Sequence, residues 1–242
     1  MPVGTFVNVG AVLAGTLVGA IIGSRIPERI RQTILGALGL VVLALGVRET
    51  LATDEFIVVL AAVLLGAIVG ELLRIEQGLE WLGAQLQQRL GGVSTPIDVE
   101  LPEDSTIVTA DNRFAAGFVI ASLVFCIGPL TVLGSIQDGL GDPELLIIKA
   151  GLDGFASIAF AAVYGWGVAL SAVMVLAIQG GIALVAGALD QVLTDTMVDV
   201  LGSAGGVLIL GIGLRLLDLK HLRVANMLPA LAIGPLLVWW FL

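Results

Sequence analysis

The stretch CIGPLTVLGSIQDGLGDPELLIIKAGLDGFASIAF, residues 126–160, decides how this chain folds. It holds an apolar run interrupted by Gly128-Pro129, an acidic turn at Asp138 and Asp142, and a second apolar run that starts at Pro143. A hydrocarbon core of about 30 Å takes about 20 helical residues to cross. The second run is long enough to do so, and the first becomes long enough when it is joined to the apolar residues before it. Two membrane spans joined by a short polar turn are therefore predicted, the first of them broken by its proline.

The rest of the chain agrees. Hydrophobic residues make up 58% and charged residues 13%, and the mean hydropathy is +1.07, whereas a soluble domain is about half apolar and a quarter charged. Period-2 alternation is absent, which argues against a β-barrel. The predicted class is all-α: a polytopic transmembrane helical bundle forming a single integral membrane domain over 1–242. Apolar windows predict eight spans at 3–24, 34–52, 55–73, 113–136, 143–164, 167–189, 197–217 and 224–242. The first is read as a span, not a signal peptide, because no Lys or Arg precedes it and no convincing cleavage site follows. The lone Cys126 cannot form an intrachain disulfide and says nothing firm about compartment.

Positive charge gives an orientation, since loops rich in Lys and Arg stay in the cytoplasm. Arg25, Arg29 and Arg31 follow the first span, Arg74, Arg89 and Arg113 lie between the third and fourth, and Lys220 and Arg223 join the seventh and eighth. The alternate turns are acidic, at Asp54 and Glu55, at Asp138 and Asp142, and at Asp190, Asp195 and Asp199, with Arg48 the exception. Both termini are thus expected outside, in a multi-pass protein of the bacterial inner membrane. Trp81, Tyr164 and Trp166 then fall near the inner interface and Trp239 and Trp240 near the outer one, as aromatic anchors should. Leu72, Ile75, Leu79, Leu82, Leu86 and Leu90 recur at helical spacing opposite Glu76, Glu80, Gln87 and Arg89. A cytoplasmic amphipathic helix is predicted over about 74–90, followed by a polar loop over about 91–112.

Two internal similarities stand out. AVLAGTLVG (11–19) and AVLLGAIVG (62–70) carry the small-xxx-small pairs Gly15/Gly19 and Gly66/Gly70, and ILGALGLVVLALGVR (34–48) resembles LGSAGGVLILGIGLR (201–215). The second pair is separated by an odd number of crossings, so an inverted repeat of spans 1–3 and 6–8 is expected, an arrangement typical of secondary transporters. Shared Gly/Ala/Leu composition is the plain alternative. The 32 glycines are first of all packing residues, and some of their faces are expected to form a homodimer contact.

The polar residues inside the spans are the candidate site. With the fifth span starting at Pro143, Lys149 lies roughly 9 Å and Asp153 roughly 15 Å into the bilayer at 1.5 Å per residue. An ionised Asp at the midplane costs on the order of 3 kcal/mol on insertion scales, so it needs a partner. Lys149, one turn earlier, is that partner. The pair is either a purely structural bridge or a site in which Asp153 is a monovalent cation or proton ligand, balanced by Lys149 when empty and supplemented by Ser157. The Gly128-Pro129 break should free backbone carbonyls, and Thr131, Ser135, Gln137 and Asp138 follow it as a polar ladder towards the outer mouth; a kink and a polar exit loop explain Gln137 and Asp138 equally well. Pro229 and Gly234-Pro235 predict a second interrupted helix at the end of the chain. Asn8 and Gln179 each place an amide in an apolar span, as path residues or as interhelical hydrogen bonds. His221 sits in a basic loop, where topology explains it better than catalysis.

With GSIQDGL, LDGFASIAF, GVLILGIGLRLL, RVANMLPAL and IPERIRQTILGALGLVVLALG in view, the chain resembles the YqgA-like bacterial membrane proteins, a family of unknown function, nearly end to end. That resemblance implies a suggested role as sodium channel or pump and a link with biofilm behaviour. It brings no catalytic or binding residues with it.

The leading functional expectation is transport or conductance of a small cation, sodium or proton, or of a solute coupled to one, along spans 4 and 5. The alternative is a non-transporting scaffold or regulatory protein, either one a homodimer in the lipid bilayer. An enzyme is not expected: no HExxH, no catalytically spaced intramembrane aspartates, no Ser–His pair and no GxxxxGK[ST] loop are present. No cofactor is implied, and there is no basic surface for nucleic acid.

Overall fold

The computed structural model describes residues 2–79, 81, 85, 110–220 and 222–241, apart from the side chains of 28, 110–112 and 129. Among the described residues every regular element is helical. These are α1 (Val3–Gly23), α2 (Glu28–Thr50), α3 (Phe56–Leu73), α4 (Ala110–Cys126), α5 (Pro129–Leu140), α6 (Glu144–Tyr164), α7 (Gly167–Leu184), α8 (Ala186–Val192), α9 (Asp195–Leu216) and α10 (Ala230–Phe241), the last preceded by a 3-10 turn at Val224–Met227. Large apolar side chains such as Ile57, Leu72, Phe155, Trp239 and Trp240 point outward. A bilayer is the solvent that accepts such a surface, because helices satisfy their own backbone.

The fourth span is broken outright. α4 and α5 meet at 66°, and Gly128 between them has φ +131°, a conformation that only glycine adopts without strain. Pro129 then opens α5 as its first residue, where a missing N–H costs nothing.

Neighbouring contacts show that this bent pair still crosses the membrane. α4 begins beside the α6–α7 turn, with Phe114 against Gly167 and Gly117 against Tyr164. α5 ends at the opposite side, with Gly139 against Ala183 and Asp138 against the start of α1. The pair therefore joins the seven long apolar helices as an eighth crossing. Consistently, α1 and α6 run parallel: Gly4 meets Leu146, Gly15 meets Gly154, Gly19 meets Ile158 and Gly23 meets Ala162. An even number of crossings leaves both ends of the described chain on one side.

Several of the small residues are spent within the chain. Cβ atoms on Gly15 and Gly19 would strike the backbone of α6, and Cβ atoms on Gly66 and Gly70 would strike Ala230 and Asn226 of the last span. Close backbone approach of this kind supplies the van der Waals contact that holds helices together without a hydrophobic drive. These two faces are thus occupied within the chain. α2 and α9 pack antiparallel through Gly39, Gly46, Gly206 and Gly213. These are the segments of the expected repeat, and their contact is a fact of packing that does not by itself establish an inverted repeat.

Several boundaries differ from expectation. The second span starts at Glu28 instead of 34, and Arg31 donates from Nη2 to the Gly23 carbonyl at 3.2 Å. The sixth ends at Leu184, and a separate short helix follows. The last span is interrupted at Pro229, where the 3-10 turn gives way to α10, but Gly234-Pro235 does not break it: the helix runs through to Phe241. Gly234 there is a packing residue, with space for no more than a tight Cβ against Val200. Of the expected amphipathic helix, Glu80, Leu82, Leu86, Gln87, Arg89 and Leu90 lie outside the described residues, as do residues 91–109 of the expected loop and His221, while 110–112, also expected in that loop, are helical and open α4.

Glu76, expected on the solvent side of that helix, is buried instead. Its Oε1 accepts from Arg215 Nη1 at 2.7 Å and its Oε2 from the Ala225 N–H at 3.2 Å. Asn226 completes the cluster by accepting the Glu76 N–H at 2.8 Å and donating to Glu71 Oε2 at 2.6 Å. The Glu76 side chain thus satisfies one N–H of the 3-10 turn, that of Ala225, while the turn's own backbone bonds take up the N–H groups of Asn226 and Leu228.

Candidate functional site

Asp153 is the tenth residue of a 21-residue helix, so it lies about 14 Å from one end and about 17 Å from the other at 1.5 Å per residue. It and Lys149 are both buried, at 7% and 6% exposure, and form an i, i+4 ion pair through Asp153 Oδ2. The same Oδ2 accepts from Asn8 Nδ2 at 2.9 Å. Asn8 Nδ2 also donates to Gln179 Oε1 at 3.3 Å. α1 therefore meets the α6 carboxylate directly, and α7 joins it through Asn8.

The broken span supplies the fourth side. Lys149 Nζ donates to the Phe125 carbonyl at 2.8 Å, and Thr131 Oγ1 donates to the same oxygen at 3.1 Å. In an unbroken helix that carbonyl would accept from the N–H four residues on. Residue 129 is proline and has none, so the oxygen is free to hold the ammonium. Ser135, one turn further, donates to the Thr131 carbonyl at 2.5 Å.

Two buried amide atoms at this junction, Asn8 Oδ1 and Gln179 Nε2, have no hydrogen-bond partner. Their orientation follows from the network. Turning Asn8 over would set its oxygen against the Asp153 carboxylate, and turning Gln179 over would set donor against donor. One acceptor and one donor are thus left unpaired beside a charge pair of zero net charge. Buried groups of this kind carry a desolvation cost until something pairs with them.

The sequence-predicted residues divide accordingly. Asp153, Lys149, Asn8 and Thr131 come together, with Gly128 and Pro129 creating the carbonyl that joins them. Ser157 does not face the carboxylate with its proton: Oγ donates to the Asp153 backbone carbonyl at 2.7 Å, the usual bond of a helical serine to residue i−4. Gln137 is exposed. Asp138 is buried and has a different job from the one expected of it. Its Oδ1 accepts the Gly4 N–H at 2.8 Å, and its Oδ2 accepts the Thr5 N–H and Thr5 Oγ1, each at 2.9 Å. Those N–H groups are the unpaired donors of the α1 N-terminus, so the carboxylate caps a helix and is not a rung of a ladder. Pro229, Gly234 and Pro235 lie in the last span, away from Asp153.

Sequence reasoning expected freed carbonyls at the break but did not single out that of Phe125, although its signal was present: a proline four residues later. It undervalued Gln179, whose burial at 0% exposure no periodicity reveals. Among the described residues no three His, Cys, Asp or Glu side chains group as a metal-ion site, and the oxygens offered are those of one carboxylate, amides, hydroxyls and a carbonyl.

Comparison with known proteins adds the chain's kinship. No solved structure matches it. An uncharacterized protein of Escherichia coli (strain K12), YqgA, is 32% identical over 99% of this chain and 98% of its own length. An uncharacterized membrane protein of Bacillus subtilis (strain 168), YdfK, is 27% identical over 98% of this chain and 95% of its own length. The family model described as "Protein of unknown function (DUF554)" matches residues 3–239. An apolar bundle matched along almost all its length by that model belongs to the DUF554 family of membrane proteins.

Proposed function

We propose that this protein carries a small monovalent cation, sodium or a proton, or a small solute coupled to one, across the inner membrane, along a path at the α4–α5 break and α6. Asp153 is its centre, and both termini face outside under the positive-inside rule. The observation that supports this reading is the junction itself: a carboxylate near mid-membrane, a lysine held by a proline-freed carbonyl, and two unpaired buried amide atoms beside them. Ionisable residues at this depth mark ion or substrate pathways, and broken helices that line a cavity are the usual scaffold for them.

Purified protein in liposomes, assayed for sodium, potassium and proton flux beside a folded Asp153→Asn variant, tests the proposal. Flux of one ion that the variant loses is the expected result. No flux of any of the three from folded protein would overturn the cation path. The alternative, a scaffold in which the pair only joins helices, has in its favour that Asp138 is wholly occupied in capping α1. Joint neutralisation of Lys149 and Asp153 separates the two readings, because a scaffold tolerates it and a path does not.

A further inference from the structure

A cavity of about 300 Å³ lies between α7 and the last span with α4 as its floor. Phe118, Leu123, Ile178 and Leu231 help to line it. Ile178 and Leu231 are only partly buried and sit near the middle of their spans, so the mouth opens at the depth of the lipid chains. A site walled in this way stays dry, and the phase at its entrance is hydrocarbon.

One polar group interrupts the lining. Ser122 is 8% exposed, and its Oγ has no hydrogen-bond partner. A helical serine ordinarily donates to the carbonyl four residues back, as Ser135 and Ser157 do here. Ser122 instead leaves its hydroxyl unpaired at the cavity wall. It lies eight residues beyond Phe114, the residue packed at the inner turn against Gly167, hence about 12 Å into the membrane. That is deeper than the interfacial layer that flanks the hydrocarbon core, where phospholipid ester groups reside.

We propose that this cavity binds a lipophilic molecule that enters sideways from the bilayer, an apolar body with one hydrogen-bonding oxygen that pairs with Ser122 Oγ. The inference does not rest on the transport reading. Its connection to that site is spatial: Ile127 and Gly128 also line the cavity, so a bound molecule touches the helix break.

The chain's one cysteine, Cys126, lines the same cavity and is only partly buried, which provides a reporter. In nanodiscs, decan-1-ol is expected to slow alkylation of Cys126 by N-ethylmaleimide several-fold, with decane a weaker protector. Ser122→Ala should raise the half-protecting decanol concentration about fivefold, the worth of one hydrogen bond of ~1 kcal/mol. Ile178→Trp, which narrows the cavity, should slow alkylation without any decanol. A lipid-facing cysteine at position 176, made by Leu176→Cys with Cys126→Ser, should be unaffected. Thermal stabilisation by decanol, read in parallel for wild type and Ser122→Ala, decides the matter even for a poorly reactive thiol. Loss of decanol sensitivity in both readouts, equal slowing at position 176, or equal protection by decane with no effect of Ser122→Ala would overturn the proposal.

Discussion

Lys149 Nζ lies 2.8 Å from the Phe125 carbonyl oxygen, the one acceptor that Pro129 leaves without its usual helical donor. A covalent feature of one span therefore positions the ammonium of the next, and through it the Asp153 carboxylate. The arrangement ties the helix break to the charge pair, so a change at either end should be felt at the other.

Removing only one member of the pair should be costly. Lys149→Met leaves Asp153 buried with Asn8 alone, and the loss expected for breaking a buried ion pair is about 3–5 kcal/mol. Lys149→Met combined with Asp153→Asn should recover a large part of that loss. Thermal unfolding of the two single variants and the double in detergent measures the coupling; additive losses would mean that the residues do not act as a pair.

Gly128→Ala should destabilise the protein although a Cβ there meets nothing within 4 Å. The penalty is conformational, from φ +131°, and such strain is of order 1–3 kcal/mol. Gly36→Ala in α2 also enters open space, and there helix propensity favours the alanine by roughly 0.5–1 kcal/mol. Opposite signs in melting temperature are the expected outcome.

Asp138→Asn should weaken the cap on α1. Its two oxygens accept three bonds from Gly4 and Thr5, and an amide can accept on only one side. A loss of about 1–2 kcal/mol is expected. Ion selectivity, in a protein that shows flux, should not change. A changed selectivity would return Asp138 to the path.

Topology gives a prediction of its own. An even number of crossings puts both termini on one side, and the proposed orientation, with the arginine-rich turn Arg25–Arg31 inside, makes that side the outer one. Alkaline phosphatase fused after residue 242 should be active in intact cells, and a fusion truncated after Arg31 should not. The reverse pattern would invert the orientation and leave the fold unchanged.

The membrane class, the number of crossings and the depth of Asp153 were legible in the sequence because each depends on one-dimensional quantities: the length of an apolar run, the position of a charge within it, the alternation of basic and acidic turns. Pro129 likewise announced a break by its chemistry alone. Partnership was not legible. Asp138 and Gln137 are neighbours in one polar run, yet one is buried under α1 and the other exposed, because a helix turns its successive residues by about 100° and only packing decides which direction meets protein. Glu76 looked solvent-facing by periodicity and is buried by Arg215 and the 3-10 turn, elements about 140 residues away along the chain. Gln179 and Asn8 meet because α1 packs against both α6 and α7, a proximity that no local pattern encodes. Run length and charge position set what crosses the bilayer and how deep each group sits; only the lateral packing of helices, driven by shape and not by hydrophobicity, determined which of those groups touch.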